Sequence, residues 1–224
     1  MGLTQDPPST NKKHFTIIVE HLDPELESWQ ALEYQTIASE CSASNSTFLL
    51  SGLASASATQ AQLNLPSSNL TESSVETRYT TPEQKRRVCL LDPKAEKDLS
   101  PEDGEEFDVF LFGGILGDDP PRDRTADLRA HGFGGRRLGP DQMTTDTAAR
   151  VTRIVVQDGK RLDEIPFVDR PDIVIGDDDD GGGGSESVSM PFKYVRGEDG
   201  KPIMPEGMLE LLGKDADKGI LDLL

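Results

Sequence analysis

The sequence predicts an α/β domain, a parallel β-sheet with helices on both faces, and three observations lead to it. The segments 15–19 (FTIIV), 88–91 (VCLL) and 107–112 (FDVFLF) are predominantly apolar and rich in β-branched or aromatic residues, as strands buried on both faces are. Helical spacing of apolar residues follows the first of these runs and appears again after Met143. Gly113 and Gly114 directly follow the most apolar run, the form taken by a ligand loop at the carboxyl end of a parallel strand. At 224 residues the chain suits one such domain and is too short for two comfortable ones.

Taken in order, residues 1–12 read as a disordered leader and 13–224 as a single domain. After the strand at 15–19, Asp23 serves as a helix N-cap with Pro24 at the first helical position. Leu26, Trp29 and Ile37 then share one helix face, with Tyr34 at its margin. A second strand is expected at 47–50. From 51 to 81 the composition turns to Ser, Thr, Ala and Gln, which bury too little to offset ordering entropy, so this stretch reads as an insertion or long loop.

The strand at 88–91 stops at Asp92-Pro93, and residues 94–99 have the pattern of one or two helical turns. The run 107–112 is the expected central strand. Ala148, Val151 and Val155 repeat at helical spacing after a start at Met143-Thr144-Thr145, and Asp158-Gly159 ends that helix. Short extended pieces are expected at 165–168 and 172–175. An acidic, Gly-rich loop occupies 177–189, and the apolar residues of 205–224 form a C-terminal docking helix. The aspartates at 177–180 are consecutive and cannot converge on one ion as spaced ligands do, so they read as a solvated run.

The formal charge is -18, from 41 acidic against 23 basic residues, which disfavours bulk nucleic acid and favours a cationic partner. Cys41 and Cys89 fit neither a disulfide framework nor a metal site and read as buried small hydrophobes in a reducing compartment. No apolar run is long enough for a membrane span, and the polar start is no signal peptide, so the expected location is the cytoplasm. His14, His21 and His131 lack metal-like spacing, and no nucleophile with a partnering base is evident.

The region 107–148 concentrates glycine, threonine and charge beyond what a core needs. The dinucleotide and P-loop glycine patterns are both absent. Gly113, Gly114 and Gly117 let the backbone pass close to a ligand. Thr144, Thr145 and Thr147 crowd a helix start where one capping hydroxyl suffices, which leaves others for the polar parts of a small molecule.

The strings LLDP (90–93), FGGILGDDPPRDRTADLR (112–129) and RRLGPDQMTTDTA (136–148) closely resemble the SPOUT-superfamily methyltransferases, in the group that modifies arginine on ribosomal proteins. The resemblance spans about residues 15–168. It implies a parallel sheet whose C-terminal half is tied in a deep trefoil knot, although threaded connections are nearly absent among proteins in general. It implies S-adenosylmethionine as cofactor, held by Leu91, Phe112, Gly113, Gly114, Leu138, Gly139, Met143, Thr144, Thr145 and Thr147. The implied substrate is an arginine on a KH-domain protein of the small ribosomal subunit, and the implied assembly is a monomer or a homodimer formed through the knot.

Guanidinium has a pKa above about 12 and no free lone pair, so catalysis needs carboxylates to grip and orient it. Asp118 and Asp123 are the candidates for that role, with Asp119, Arg122 and Arg124 as substrate contacts. Their structural alternative is ion pairing among Asp118, Asp123, Arg122 and Arg124. Two rival functions remain open on sequence. One is a SPOUT RNA methyltransferase using Arg122, Arg124, Arg129, Arg136 and Arg137 as a phosphate-binding face. The other is an assembly factor that retains the fold without the reaction.

Overall fold

The computed structural model describes residues 13–113, 123, 125–175 and 186–221. Gly114, Gly117, Asp118, Asp119, Arg122 and Arg124 lie outside these, as does the acidic run at 177–184. Five parallel strands form the main sheet in the order β2-β1-β4-β3-β5: β1 (Thr16–Glu20), β2 (Thr47–Ser51), β3 (Val88–Leu91), β4 (Val109–Phe112) and β5 (Gly134–Arg136). The expected strands at 15–19, 47–50, 88–91 and 107–112 are β1 to β4, and the most apolar of them, β4, is central.

Alternation along these strands feeds two cores. Ile17, Val19, Phe48, Leu50, Cys89, Leu91, Phe110 and Phe112 face one side, and Ile18, Leu49, Val88, Leu90, Val109 and Leu111 face the other. The first side is covered by α1 (Ser28–Ala43), α2 (Ala56–Leu63) and α7 (Thr145–Asp158) through residues such as Tyr34, Ile37, Leu63, Val151 and Val155. The second receives Val75 of α3 (Val75–Arg78), Leu128 of α6 (Ala126–Ala130) and Phe133. The short helices α4 (Pro82–Lys85) and α5 (Asp103–Glu106) precede β3 and β4.

Several expectations change. The first helix begins at Ser28 rather than after Asp23, because the Glu27 N–H is capped by Gln30 Oε1 at 2.9 Å. Asp23 instead accepts from Gln30 Nε2 at 2.7 Å, and Tyr34, placed at the margin of the buried face, is 1% exposed. Residues 51–81 are an ordered crossover. They hold α2, a 3₁₀ turn at Ser67–Asn69 and α3, pinned by the buried Leu53, Leu63, Leu70 and Val75. Few large apolar side chains suffice when each lands in the core.

Residues 94–99 form turns rather than a helix, because Lys97 and Leu99 exchange backbone hydrogen bonds with Arg137 at 2.9 and 2.8 Å. That pairing prolongs the sheet beyond β5, the strand no apolar pattern announced. Among the described residues, no helix is long and apolar enough to cross a membrane.

The helix α7 ends where the sequence predicts, on Gly159 in the left-handed conformation at φ 70°. Gly159→Ala is expected to cost about 1 kcal/mol, since a Cβ disfavours this region, and urea denaturation would read the loss. Beyond it, β6 (Phe167–Asp169) pairs with β9 (Lys193–Val195) and β7 (Asp172–Ile175) with β8 (Glu186–Ser189), both antiparallel, so the last four residues of the loop expected at 177–189 are strand, held by pairing with β7. The final helix, α8 (Met208–Leu221), docks as expected: Met208 and Leu212 pack with Ile173, Phe192 and Tyr194 beside Trp29 and Leu32 of α1. This C-terminal part reaches back to the main body, where the Lys193 N–H donates to Gln142 O at 2.9 Å and its Nζ lies 2.9 Å from Asp141.

Candidate active site

Ligands of open parallel sheets bind outside the carboxyl ends of the strands, and a cleft of about 330 Å³ lies there, at the ends of β3 and β4. Leu91 and Phe112 are the last residues of those strands and form its floor. Leu138, Gly139, Met143 and Ala148 supply the opposite wall, and Asp92, Lys94, Asp123, Thr125, Arg137 and Asp141 stand around it. Gly139 adopts φ 89°, a conformation that suits glycine and lets the loop from β5 turn towards α7. The loop is supported from behind by the Lys193 contacts to Asp141 and Gln142.

The fold thus brings together Leu91, Phe112, Leu138, Gly139, Met143 and Asp123 of the residues singled out in the sequence. Gly113 is buried at the end of β4. Thr144, Thr145 and Thr147 lie behind the wall, between 0% and 4% exposed. Thr144 and Thr147 bond hydroxyl to hydroxyl at 2.8 Å, and the Thr145 N–H donates to Glu33 Oε1 at 3.2 Å.

Among the described residues, Asp123 pairs with two cations distant from it in the chain. Arg129 of α6 reaches its Oδ1 through Nη2 at 3.0 Å and its Oδ2 through Nη1 at 3.3 Å, and Lys94 Nζ lies 2.7 Å from Oδ2. These hydrogen bonds, Arg129 first and Lys94 second, hold the carboxyl well below the usual carboxylate range. The same Arg129 grips Asp92 with two bonds of 2.6 and 2.9 Å. Burial would raise Asp92, but the Arg129 bonds and those from the Lys94 N–H and Thr125 outweigh it and lower its pKa. Both acids are therefore ionised at neutral pH.

Asp92 is a site residue that sequence reasoning missed, along with Thr125 and Asp141. Its one signal was its place immediately after a buried strand, where a parallel sheet presents its ligand edge. Of the five arginines offered as a phosphate-binding face, the three among the described residues are paired internally. Arg129 is held by Asp92 and Asp123, Arg136 by Asp103 at 2.8 Å and Glu106 at 3.1 Å, and Arg137 by Asp98 at 2.5 Å. Burial pushes the Cys41 and Cys89 thiols up to about 12, which leaves neither poised as a nucleophile.

Residues 16–219 match the family described as protein arginine N-methyltransferase SFM1-like. Protein arginine N-methyltransferase SFM1 of Saccharomyces cerevisiae is 40% identical to this chain, over 92% of the chain and 98% of the yeast protein. Among solved structures, the yeast arginine methyltransferase SFM1 complexed with SAM is similar with a TM-score of 0.74 at 38% identity, over 93% of each chain. The complex of the same yeast enzyme with SAH gives 0.73 at 38% identity, over 88% of this chain and 93% of the yeast one. By sequence over nearly its whole length, and by fold, this chain belongs to the SFM1-like family of protein arginine N-methyltransferases.

Proposed function

We propose that the protein uses S-adenosylmethionine to methylate an arginine of a KH-domain ribosomal protein of the small subunit, in the cytoplasm and without a metal or covalent intermediate. The observation that carries this reading is the make-up of the cleft, an apolar pair of walls opening onto ionised carboxylates. Its volume falls at the small end of the range for small-molecule sites, about 300–1,000 Å³.

The residues fit the cofactor. Leu91, Phe112, Leu138 and Met143 suit an adenine ring, while Gln142, Asp141 and the backbone about Gly139 offer hydrogen-bonding groups for ribose and amino acid parts. Gly113 and Gly114 would let the strand end pass beside it, and Thr144, Thr145 and Thr147 would hold the Met143 wall in place. When bound, the cofactor supplies an electrophilic sulfonium methyl.

The chain's own part is to make guanidinium a nucleophile. Asp123, with Asp118, would hold two of its N–H groups, draw positive charge towards the bound nitrogens and orient the remaining one. As the N–C bond forms, that nitrogen must shed a proton, and a neighbouring carboxylate is the group to receive it. Asp119, Arg122 and Arg124 complete the substrate contacts in this reading. Holding the reactants in line contributes several kcal/mol more, as an order of magnitude.

The same reading makes the sheet one of SPOUT type with a C-terminal trefoil knot. Its support is the all-parallel order β2-β1-β4-β3-β5 and the return of Lys193 onto the cleft loop. The internal neutralisation of Arg129, Arg136 and Arg137 weighs against RNA as substrate.

The deciding experiment is transfer of labelled methyl into a ribosome fraction from cells lacking this enzyme, with protein and RNA separated before counting. Label in one small-subunit protein, mapped to arginine, is the expected result. Label confined to RNA would overturn the proposal.

A further inference from the structure

We propose that Lys94 is a displaceable placeholder on the arginine seat, which an incoming guanidinium replaces with a two-point grip on Asp123. This rests on the reading of Asp123 as the carboxylate that receives the substrate guanidinium. The difficulty it resolves is one of capacity. Two carboxylate oxygens offer about four lone-pair positions. On Asp123, Arg129 takes one on each oxygen and Lys94 a second on Oδ2 at 2.7 Å, while the single Thr125 hydroxyl proton goes to Asp92 Oδ1 at 2.9 Å rather than to Asp123 Oδ1 at 3.2 Å. A substrate guanidinium that forks across both oxygens must therefore displace a cation from Oδ2.

The structure separates the two cations clearly. Arg129 is tied to Asp92, whose side chain is 3% exposed, by bonds of 2.6 and 2.9 Å, so moving it would leave a buried carboxylate without its partner. Lys94 has a side chain 63% exposed, and its Nζ pairs with Asp123 among the described residues. Its backbone is held independently, since the Lys94 N–H donates to Asp92 Oδ1 at 3.0 Å. The side chain can swing into water without disturbing the turn, and it does so at the rim of the cleft.

The substrate gains from the exchange. An incoming guanidinium presents two N–H groups in a planar fork where the ammonium made a single contact, and so gains a hydrogen bond. Lys94 also keeps Asp123 ionised and in place between turnovers.

The test titrates the whole protein, with S-adenosylhomocysteine present, with ethylguanidine and with ethylammonium as probes. Binding is read from the side-chain carboxyl ¹³C resonance that disappears in Asp123→Asn. Wild type should bind ethylguanidine in preference to ethylammonium. Lys94→Met should bind ethylguanidine about 3–10-fold more tightly and keep that preference, as expected for removal of one exposed competing charge. Its affinity for S-adenosylmethionine should be unchanged.

Equal or weaker ethylguanidine binding by Lys94→Met would overturn the placeholder role. So would weakened S-adenosylmethionine binding, which would assign Lys94 to the cofactor. Undiminished ethylguanidine binding by Asp123→Asn, followed through amide resonances around the cleft, would sink the underlying assignment of Asp123 instead. The two failures are thus distinguishable.

Discussion

Arg150→Met is expected to destabilise the protein by about 3–5 kcal/mol, the range for breaking a buried ion pair from one side. Arg150 is 4% exposed and lies between helices: its Nε and Nη2 donate to Glu40 of α1 at 2.8 and 2.5 Å, and its Nη1 lies 3.4 Å from Asp146. Methionine would fill the space of the aliphatic stem yet leave Asp146, 1% exposed, facing Glu40 and Glu33 with no countercharge. Urea denaturation at pH 8 and pH 5 checks the prediction. The loss should shrink at pH 5, where protonation removes part of the stranded charge, and a loss below about 1 kcal/mol at pH 8 would show that the pair does not hold α7 to α1.

Glu33→Gln gives the converse result in the same cluster. Burial first, and the Asp146 charge second, raise the Glu33 carboxyl well above its ordinary 4.5. A carboxyl raised on folding contributes stability that is complete below about pH 4.5 and is lost as pH rises through its folded value. Glutamine keeps the size and accepts from the Trp29 Nε1–H and the Thr145 N–H as Glu33 does, at 3.1 and 3.2 Å, without that liability. The variant should therefore gain stability relative to wild type as pH rises from 5 to 8.

The largest effect on activity is expected at Asp123. Asp123→Asn should lower kcat by about 10²-fold, the scale seen when one charge-stabilising group is removed from an active site. The amide keeps the shape but forfeits the negative charge that holds Arg129 and Lys94 and that would draw positive charge onto the bound nitrogens of the substrate. S-adenosylmethionine affinity should change little, because the proposed cofactor contacts do not include this carboxylate. Turnover equal to wild type would reduce Asp123 to an ion-pairing residue that fixes α6, and turnover lost together with cofactor binding would place it in the cofactor site.

How far the sequence could be read depended on the element. The strands β1, β3 and β4 were legible because a strand buried on both faces must be apolar throughout, and no helix of that length would explain the run. The strand β5 was not. Gly134 and Gly135 carry no pattern, and it exists because the backbone of β3 offers an unpaired edge, with Gly135 packed against Ala95 and Asp92. Residues 94–99 follow the same logic: their helical pattern yields to pairing with Arg137.

The cleft was half legible. Leu91, Phe112, Leu138, Gly139 and Met143 came from strings that resemble a known family, and the fold gathers them. The Lys94 and Arg129 partners of Asp123 were not legible, because ion pairing across 29 residues to Lys94 leaves no trace in spacing.

By itself, then, the sequence determined the class of fold, the four apolar strands, the helix from Thr145 to Gly159 and the family resemblance, all of which reside in local periodicity or contiguous strings. Tertiary structure alone decided that Asp92, Arg129 and Asp123 form one charged unit at the cleft and that Glu33, Asp146 and Arg150 form another beneath it. Charge pairing acts over a few ångströms of space and is indifferent to chain separation, so it appears only once the strands have brought distant residues together.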